Sequence, residues 1–221
     1  WGGVDFVSSS SSYIMTPPCF LSYRYVPYGA TLNHWEKRNP NLENAFGENV
    51  WKAESGKSVW EKFYGKRNAV NLGIGGDRTQ HVIWRLDNGN VKGISPKAAV
   101  VMIGTNNSGN NSPEEIADGL AAITKQLRNK LPKTKVLLLG IFPRGTNKDD
   151  GRRQVNEKAN AIFKKLADGK DVHYLDIGDK FLETDGTLTR KIMPDLLHLS
   201  VEGYTIWAES IEPTLKKIMG E

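Results

Sequence analysis

Near the carboxyl end of the chain, Asp195-Leu196-Leu197-His198 places a carboxylate three residues before an imidazole. A neutral imidazole accepts a proton at one ring nitrogen. A carboxylate on the other nitrogen fixes the tautomer and stabilises the imidazolium that forms. That pair is the base half of an acyl-transfer site. The other half is a nucleophile, and a serine becomes one when a base takes its proton. Ser8 to Ser12 is a run of serines. Two more segments suit the developing oxyanion: Gly73-Ile74-Gly75-Gly76-Asp77-Arg78-Thr79 and Gly104-Thr105-Asn106-Asn107. A backbone N–H in a glycine turn and an asparagine amide N–H are both oxyanion donors, and glycine lets a carbonyl approach the backbone closely.

Plainer readings stand beside these. Asp-x-x-His is common at surfaces and helix starts, and Asn106-Asn107 is ordinary turn chemistry. Gly73-x-Gly75-x-x-Arg78 lacks the third glycine of a dinucleotide fingerprint. His34, His81 and His173 show no paired ligand spacing, and Cys19 is alone, so neither a metal nor a cofactor is expected. His81, Trp84 and Arg85 read as packing and surface residues. Arg144 could touch substrate but reads more simply as a surface arginine.

The elements that must position these residues follow a regular pattern from residue 57 onward. Short apolar runs at Ala69–Leu72, Ala98–Ile103, Val136–Ile141 and Val172–Ile177 each fit a strand of a parallel sheet, buried on both faces. Gly2–Val7 supplies a fifth strand at the front. Between the runs lie helical patterns. One covers Thr79 to Leu86. Another opens on a Ser112-Pro113-Glu114-Glu115 capping box and continues through Ile116, Leu120, Ile123 and Leu127. Val155, Ala159, Ile162 and Leu166 share one face of a third. Ser200 caps a last helix facing inward through Tyr204, Trp207, Ile211 and Leu215. Strands alternating with helices predict an α/β fold, a three-layer flavodoxin-like sandwich around a five-stranded parallel sheet. In such a sheet ligands bind beyond the carboxyl ends of the strands, where the polar segments fall. Residues 8–56, with their serine run and Pro17-Pro18, Pro27 and Pro40, hold no period and read as a divergent or inserted segment.

Composition limits the alternatives. The chain has 221 residues, a net charge of +5 from 30 basic and 25 acidic side chains, and one cysteine. That length fits a single domain over 1–221. A lone cysteine excludes an intramolecular disulfide framework. The basic residues are interleaved with acids, with no run of five, so no nucleic-acid partner is expected. The longest apolar stretch, Val136 to Phe142, is too short to span a bilayer. The chain opens at Trp1 with no basic and apolar leader, which leaves the compartment open between secreted or periplasmic and cytoplasmic.

Four segments, "NAVNLGIGGDRTQHVIWRL", "VVMIGTNN", "IFPRG" and "IMPDLLHLS", resemble the SGNH (GDSL-like) hydrolase family, and most closely its platelet-activating-factor acetylhydrolase-like branch. The resemblance runs over residues 57 to 221. It implies a flavodoxin-like fold and metal-free hydrolysis of short, often acetyl, esters of small molecules. It also implies Gly76 and Asn106 as oxyanion donors and Asp195 and His198 as acid and base. The family's Gly-Asp-Ser nucleophile motif is absent. Counting forward from Gly2–Val7 reaches Ser12, with Ser8, Ser10 and Ser11 as alternatives. Counting back from His34-Trp35-Glu36 reaches Ala30, which would leave a ligand-binding relative with no nucleophile. A nucleotide-binding flavodoxin-like module is a weaker alternative.

Overall fold

The computed structural model describes residues 20–23 and 50–221. Five strands, β1 (Phe20–Tyr23), β2 (Ala69–Asn71), β3 (Ala98–Val101), β4 (Lys135–Leu139) and β5 (Val172–Leu175), form one sheet of order β2-β1-β3-β4-β5. All neighbours are parallel. This is the doubly wound order in which the chain reverses direction across the sheet beside β1 and β3. Five helices accompany the strands: α1 (Val50–Tyr64), α2 (Thr79–Asp87), α3 (Pro113–Lys130), α4 (Gly151–Phe163) and α5 (Val201–Met219).

The two-residue period of a strand divides the apolar side chains between two cores. Ala99, Val101, Val136 and Leu138 face one core, with Val82 and Leu86 of α2, Ile116, Leu120 and Ile123 of α3 and Phe163 of α4. Ala98, Val100, Leu137 and Leu139 face the other, with Val59 and Tyr64 of α1 and Trp207, Ile211 and Leu215 of α5. β3 and the last four residues of β4 are buried throughout. Each such leucine or isoleucine contributes about 2 kcal/mol by leaving water.

The helices start where their caps dictate. Ser112 Oγ accepts from Glu115 N at 3.2 Å and Glu115 Oε2 accepts from Ser112 N at 2.9 Å, with Pro113 in the first turn. Those bonds, from the Ser112 N–H first and Asn111 second, hold the Glu115 carboxyl below the usual glutamate range. Ser112→Ala is expected to cost about 1 kcal/mol and to lower the melting midpoint by about 3 °C, with turnover unchanged, as measured by thermal unfolding beside an esterase assay. In α5, Ser200 Oγ accepts from Gly203 N, and Gly220, at φ +72°, closes the last turn.

Three expectations change. The expected front strand, Gly2–Val7, lies outside the described residues, and the strand between β2 and β3 is Phe20–Tyr23. The supposedly aperiodic stretch 8–56 therefore contains a sheet strand and the first turns of α1. The expectation of strands buried on both faces fails at the sheet's margins. Among the described residues β2 has a neighbour on one side only, and Val70 is 39% exposed. β5 is only partly buried beyond Val172.

Candidate active site

In a parallel sheet the carboxyl ends of all strands share one edge. The loops after β2, β3 and β4 therefore meet there, together with the stretch that leads into α5. That stretch makes a tight turn: Leu196 takes φ +59°, donates to Met193 O at 2.8 Å and accepts from Gly145 N at 3.0 Å. The turn folds Asp195 back on His198. Asp195 Oδ1 accepts from His198 N at 2.7 Å and Leu197 N at 3.2 Å, and Asp195 Oδ2 lies 2.5 Å from His198 Nδ1. Ser200 is the helix cap, so the plain helix-start reading of Asp195 does not hold. Burial pushes the Asp195 carboxyl up, but the bonds from the His198 ring and from the His198 and Leu197 N–H groups outweigh it and hold the carboxyl below the usual aspartate range. The His198 side chain is only 11% exposed.

His198 lines a small pocket of about 30 Å³ with Thr105 from the β3 loop, Phe142 and Pro143 from the β4 loop, and the apolar side chains of Met102 and Leu199. The Phe142 ring stands edge-on to Trp207 at 5.3 Å and tilted on Phe181 at 4.7 Å, which makes a stiff wall.

Gly76 and Asn106 come from adjacent loops. Gly76 takes φ +78°, a conformation suited to glycine, and a Cβ there would meet nothing within 4 Å. Asn106 Nδ2 donates to the carbonyl of Asp77, the next residue, at 2.9 Å. One of its two amide hydrogens thus ties the β3 loop to the β2 loop. Asn106 also follows Thr105 of the pocket directly in the chain. The structure therefore brings His198, held by Asp195, and Thr105 to one pocket, and bonds the Gly76 and Asn106 loops to each other through Asp77. Ser12, with Ser8, Ser10 and Ser11, lies outside the described residues, and the strand from which Ser12 was counted is not the one at Phe20–Tyr23.

Several supporting residues were read as something simpler. Arg85 is not a surface residue: it is buried, donating to Leu72 O at 2.6 Å and to the Asp77 carboxylate. Burial pushes the Asp77 carboxyl above the usual aspartate range, with Arg85 and then His81 opposing. Asn107 is more than turn chemistry. It is buried, and its Oδ1 accepts from Thr79 N at 3.1 Å, anchoring the first turn of α2. Arg144 is half-buried and donates to Thr105 O at 3.1 Å and Thr105 Oγ1 at 3.3 Å, so it braces the pocket rather than the surface. Buried Asn156 of α4 donates to the same Oγ1 at 3.4 Å. The signal for Arg144 and Asn107 was their position directly after strands. Arg85 and Asn156 carried no such signal.

Among the described residues no three His, Cys, Asp or Glu side chains group as metal ligands, and no helix is long and apolar enough to cross a membrane. Residues 43–206 match the GDSL-like Lipase/Acylhydrolase family. The chain belongs to that family. Within it, the chain is 39% identical over 166 residues to human platelet-activating factor acetylhydrolase IB subunit alpha1, covering 74% of this chain and 70% of the relative. Its fold resembles that of a solved putative platelet activating factor from Streptococcus pneumonia, at TM-score 0.67 and 20% identity over 92% of this chain and 86% of that one. It also resembles an acetyl-xylooligosaccharide esterase from Geobacillus Stearmophilus, at TM-score 0.62 and 18% identity over 91% and 93%. Gly76, Asn106, Asp195 and His198 all fall inside the GDSL-like match, whereas Ser8–Ser12 precede it.

Proposed function

We propose that this GDSL-like hydrolase is a serine esterase of short acyl groups, acetyl above all. The observation that carries the reading is the Asp195–His198 pair, held by three bonds to one carboxylate and opening on a small, largely apolar pocket. The pocket has room for a methyl-sized acyl chain. Two relatives whose names specify acetyl esters agree with it.

In this mechanism the serine hydroxyl attacks the ester carbonyl while His198 Nε2 takes its proton. Asp195 keeps Nδ1 protonated and offsets the imidazolium charge. The carbonyl oxygen, now negative, accepts from Gly76 N–H and from the Asn106 amide hydrogen not engaged by Asp77. His198 returns the proton to the leaving alkoxide. Water then attacks the acyl-enzyme with His198 again as base, releasing the acid and restoring the serine. Ser12, which precedes β1 in the chain, stands as the candidate nucleophile from the serine run alone, and peptide mapping tests it.

One observation favours a second reading, a ligand-binding relative. Residues 24–49, between β1 and α1 in the sequence, contain no serine. A fluorophosphonate probe followed by peptide mapping separates the two. Labelling of one serine that requires His198 supports the esterase, and labelling at Ser12 assigns its nucleophile. A folded chain that neither labels nor hydrolyses p-nitrophenyl acetate is a binder. For the esterase, kcat/KM is expected to fall at least about tenfold from p-nitrophenyl acetate to the octanoate, since a pocket this small excludes the longer chain. Equal rates on the two esters would refute the acetyl preference.

A further inference from the structure

We propose that Arg85 and Asp77 form a buried positioning pair that sets where the two oxyanion donors, Gly76 N–H and the Asn106 amide, stand relative to each other. The proposal rests on the esterase reading and deepens it. Gly76 has positive φ and no atom within 4 Å of the place where a side chain would begin. No side chain of its own can fix its peptide, so the neighbouring residues must.

Asp77, the next residue, is held at both of its polar ends. Its carboxylate takes Arg85 Nη2, and its carbonyl takes Asn106 Nδ2 at 2.9 Å. Arg85 Nη1 also donates to Leu72 O at 2.6 Å, so one guanidinium joins the first residue after β2 to the last turn before α2. The Arg85 and Asp77 side chains are 8% and 10% exposed. Arg85 stands on α2, whose first turn is anchored by Asn107, the residue after Asn106. The connections close on themselves: Gly76, Asp77, Arg85, α2, Thr79, Asn107, Asn106 and back to Asp77. A buried ion pair adds little stability over an apolar pair of similar volume. What it adds here is direction, because a planar guanidinium with two acceptors has one orientation.

The test compares the wild type with an Asp77→Leu/Arg85→Met double variant, which removes both charges of the pair together. Both are followed by NMR hydrogen exchange of the ¹⁵N-labelled chain and by hydrolysis of p-nitrophenyl acetate. The expected result is a cooperatively folded double variant in which the Asn106 side-chain amide, bonded to the position-77 carbonyl, and the backbone amide at position 77, bonded to Ile74 O, exchange at least tenfold faster. Amides of β3 and β4 keep their rates. In the same variant kcat falls at least tenfold while KM stays within twofold, the signature of donors lost in the transition state rather than in binding. Unchanged exchange at position 77 and Asn106 in the folded variant overturns the proposal, and so does faster exchange with unchanged kcat. Should the double variant not fold, Arg85→Lys is read the same way, because an ammonium cannot hold Leu72 O and the carboxylate in the same fork. A wild type that hydrolyses nothing refutes the esterase reading instead, and exchange alone then decides the pair.

Discussion

His198→Ala is expected to lower kcat on p-nitrophenyl acetate by about 10⁶-fold, since removing the base of such a triad leaves only the residual catalysis from binding and oxyanion stabilisation. The fold should survive. His198 sits in a loop ahead of α5, and Ser200 still caps that helix. Far-UV circular dichroism and thermal unfolding check the fold, and steady-state kinetics check the loss. Equal rates for variant and wild type would remove His198 from the mechanism. The pH dependence follows from its partner. Asp195 is held below the usual aspartate range. The stability that this pairing adds is therefore fully present above the unfolded value of about 3.9 and is lost as pH falls through the lower folded value. Any acid limb of the kcat/KM profile above about pH 5 must then belong to a group other than Asp195.

The second large effect is structural. Gly104 follows β3 at φ +126°, a backbone conformation that L side chains rarely adopt. A Cβ there would lie 2.6 Å from Ile141 Cδ1 and 3.0 Å from Ile116 Cγ2, both deep in the core. Gly104→Ala adds backbone strain to overpacking, together about 3 kcal/mol, and should lower the melting midpoint by about 10 °C. Because Thr105 and Asn106 follow directly, turnover should fall beyond the loss of folded protein. A midpoint within 2 °C of wild type, measured by differential scanning fluorimetry, would show that Ile141 yields and that the turn is not constrained.

From residue 57 onward the fold was readable because each level of the sequence agreed with the next. The apolar runs of β3 and β4 are continuous, and Ser112 and Ser200 are the caps that their sequences announce. The misses have physical reasons. α1 was hidden by Ser55, Gly56 and Ser58 within two turns, which weaken a helix on its own. Packing overrides that weakness: the site of a Gly56 Cβ lies 3.3 Å from the Tyr204 ring, so the small residue is what lets α5 lie close. β1 has four residues with prolines on either side, too short for any period to show. The Asp-x-x-His and glycine segments of the candidate site were legible because their types are dictated by chemistry. Arg85 was not, because a buried arginine acting through a backbone carbonyl and a carboxylate looks in sequence like any helix-surface cation.

β1 joins the sheet between β2 and β3, and among the described residues β2 touches the sheet only through it. The stretch from β3 to β5 is contiguous in the chain, with α3 packed on α4, so it can assemble from local contacts. Pairing β1 with β3 joins residues 78 apart in the chain and pairing it with β2 joins residues 49 apart, against 36 and 37 for the other pairs, which slows that step. The glycine loop leaves from β2 and is therefore carried by a strand at the margin of the described sheet. The same strand should be the first to open in the native state. Partial opening at this margin would part Gly76 from Asn106, the proposed oxyanion pair, while the rest of the sheet stayed assembled.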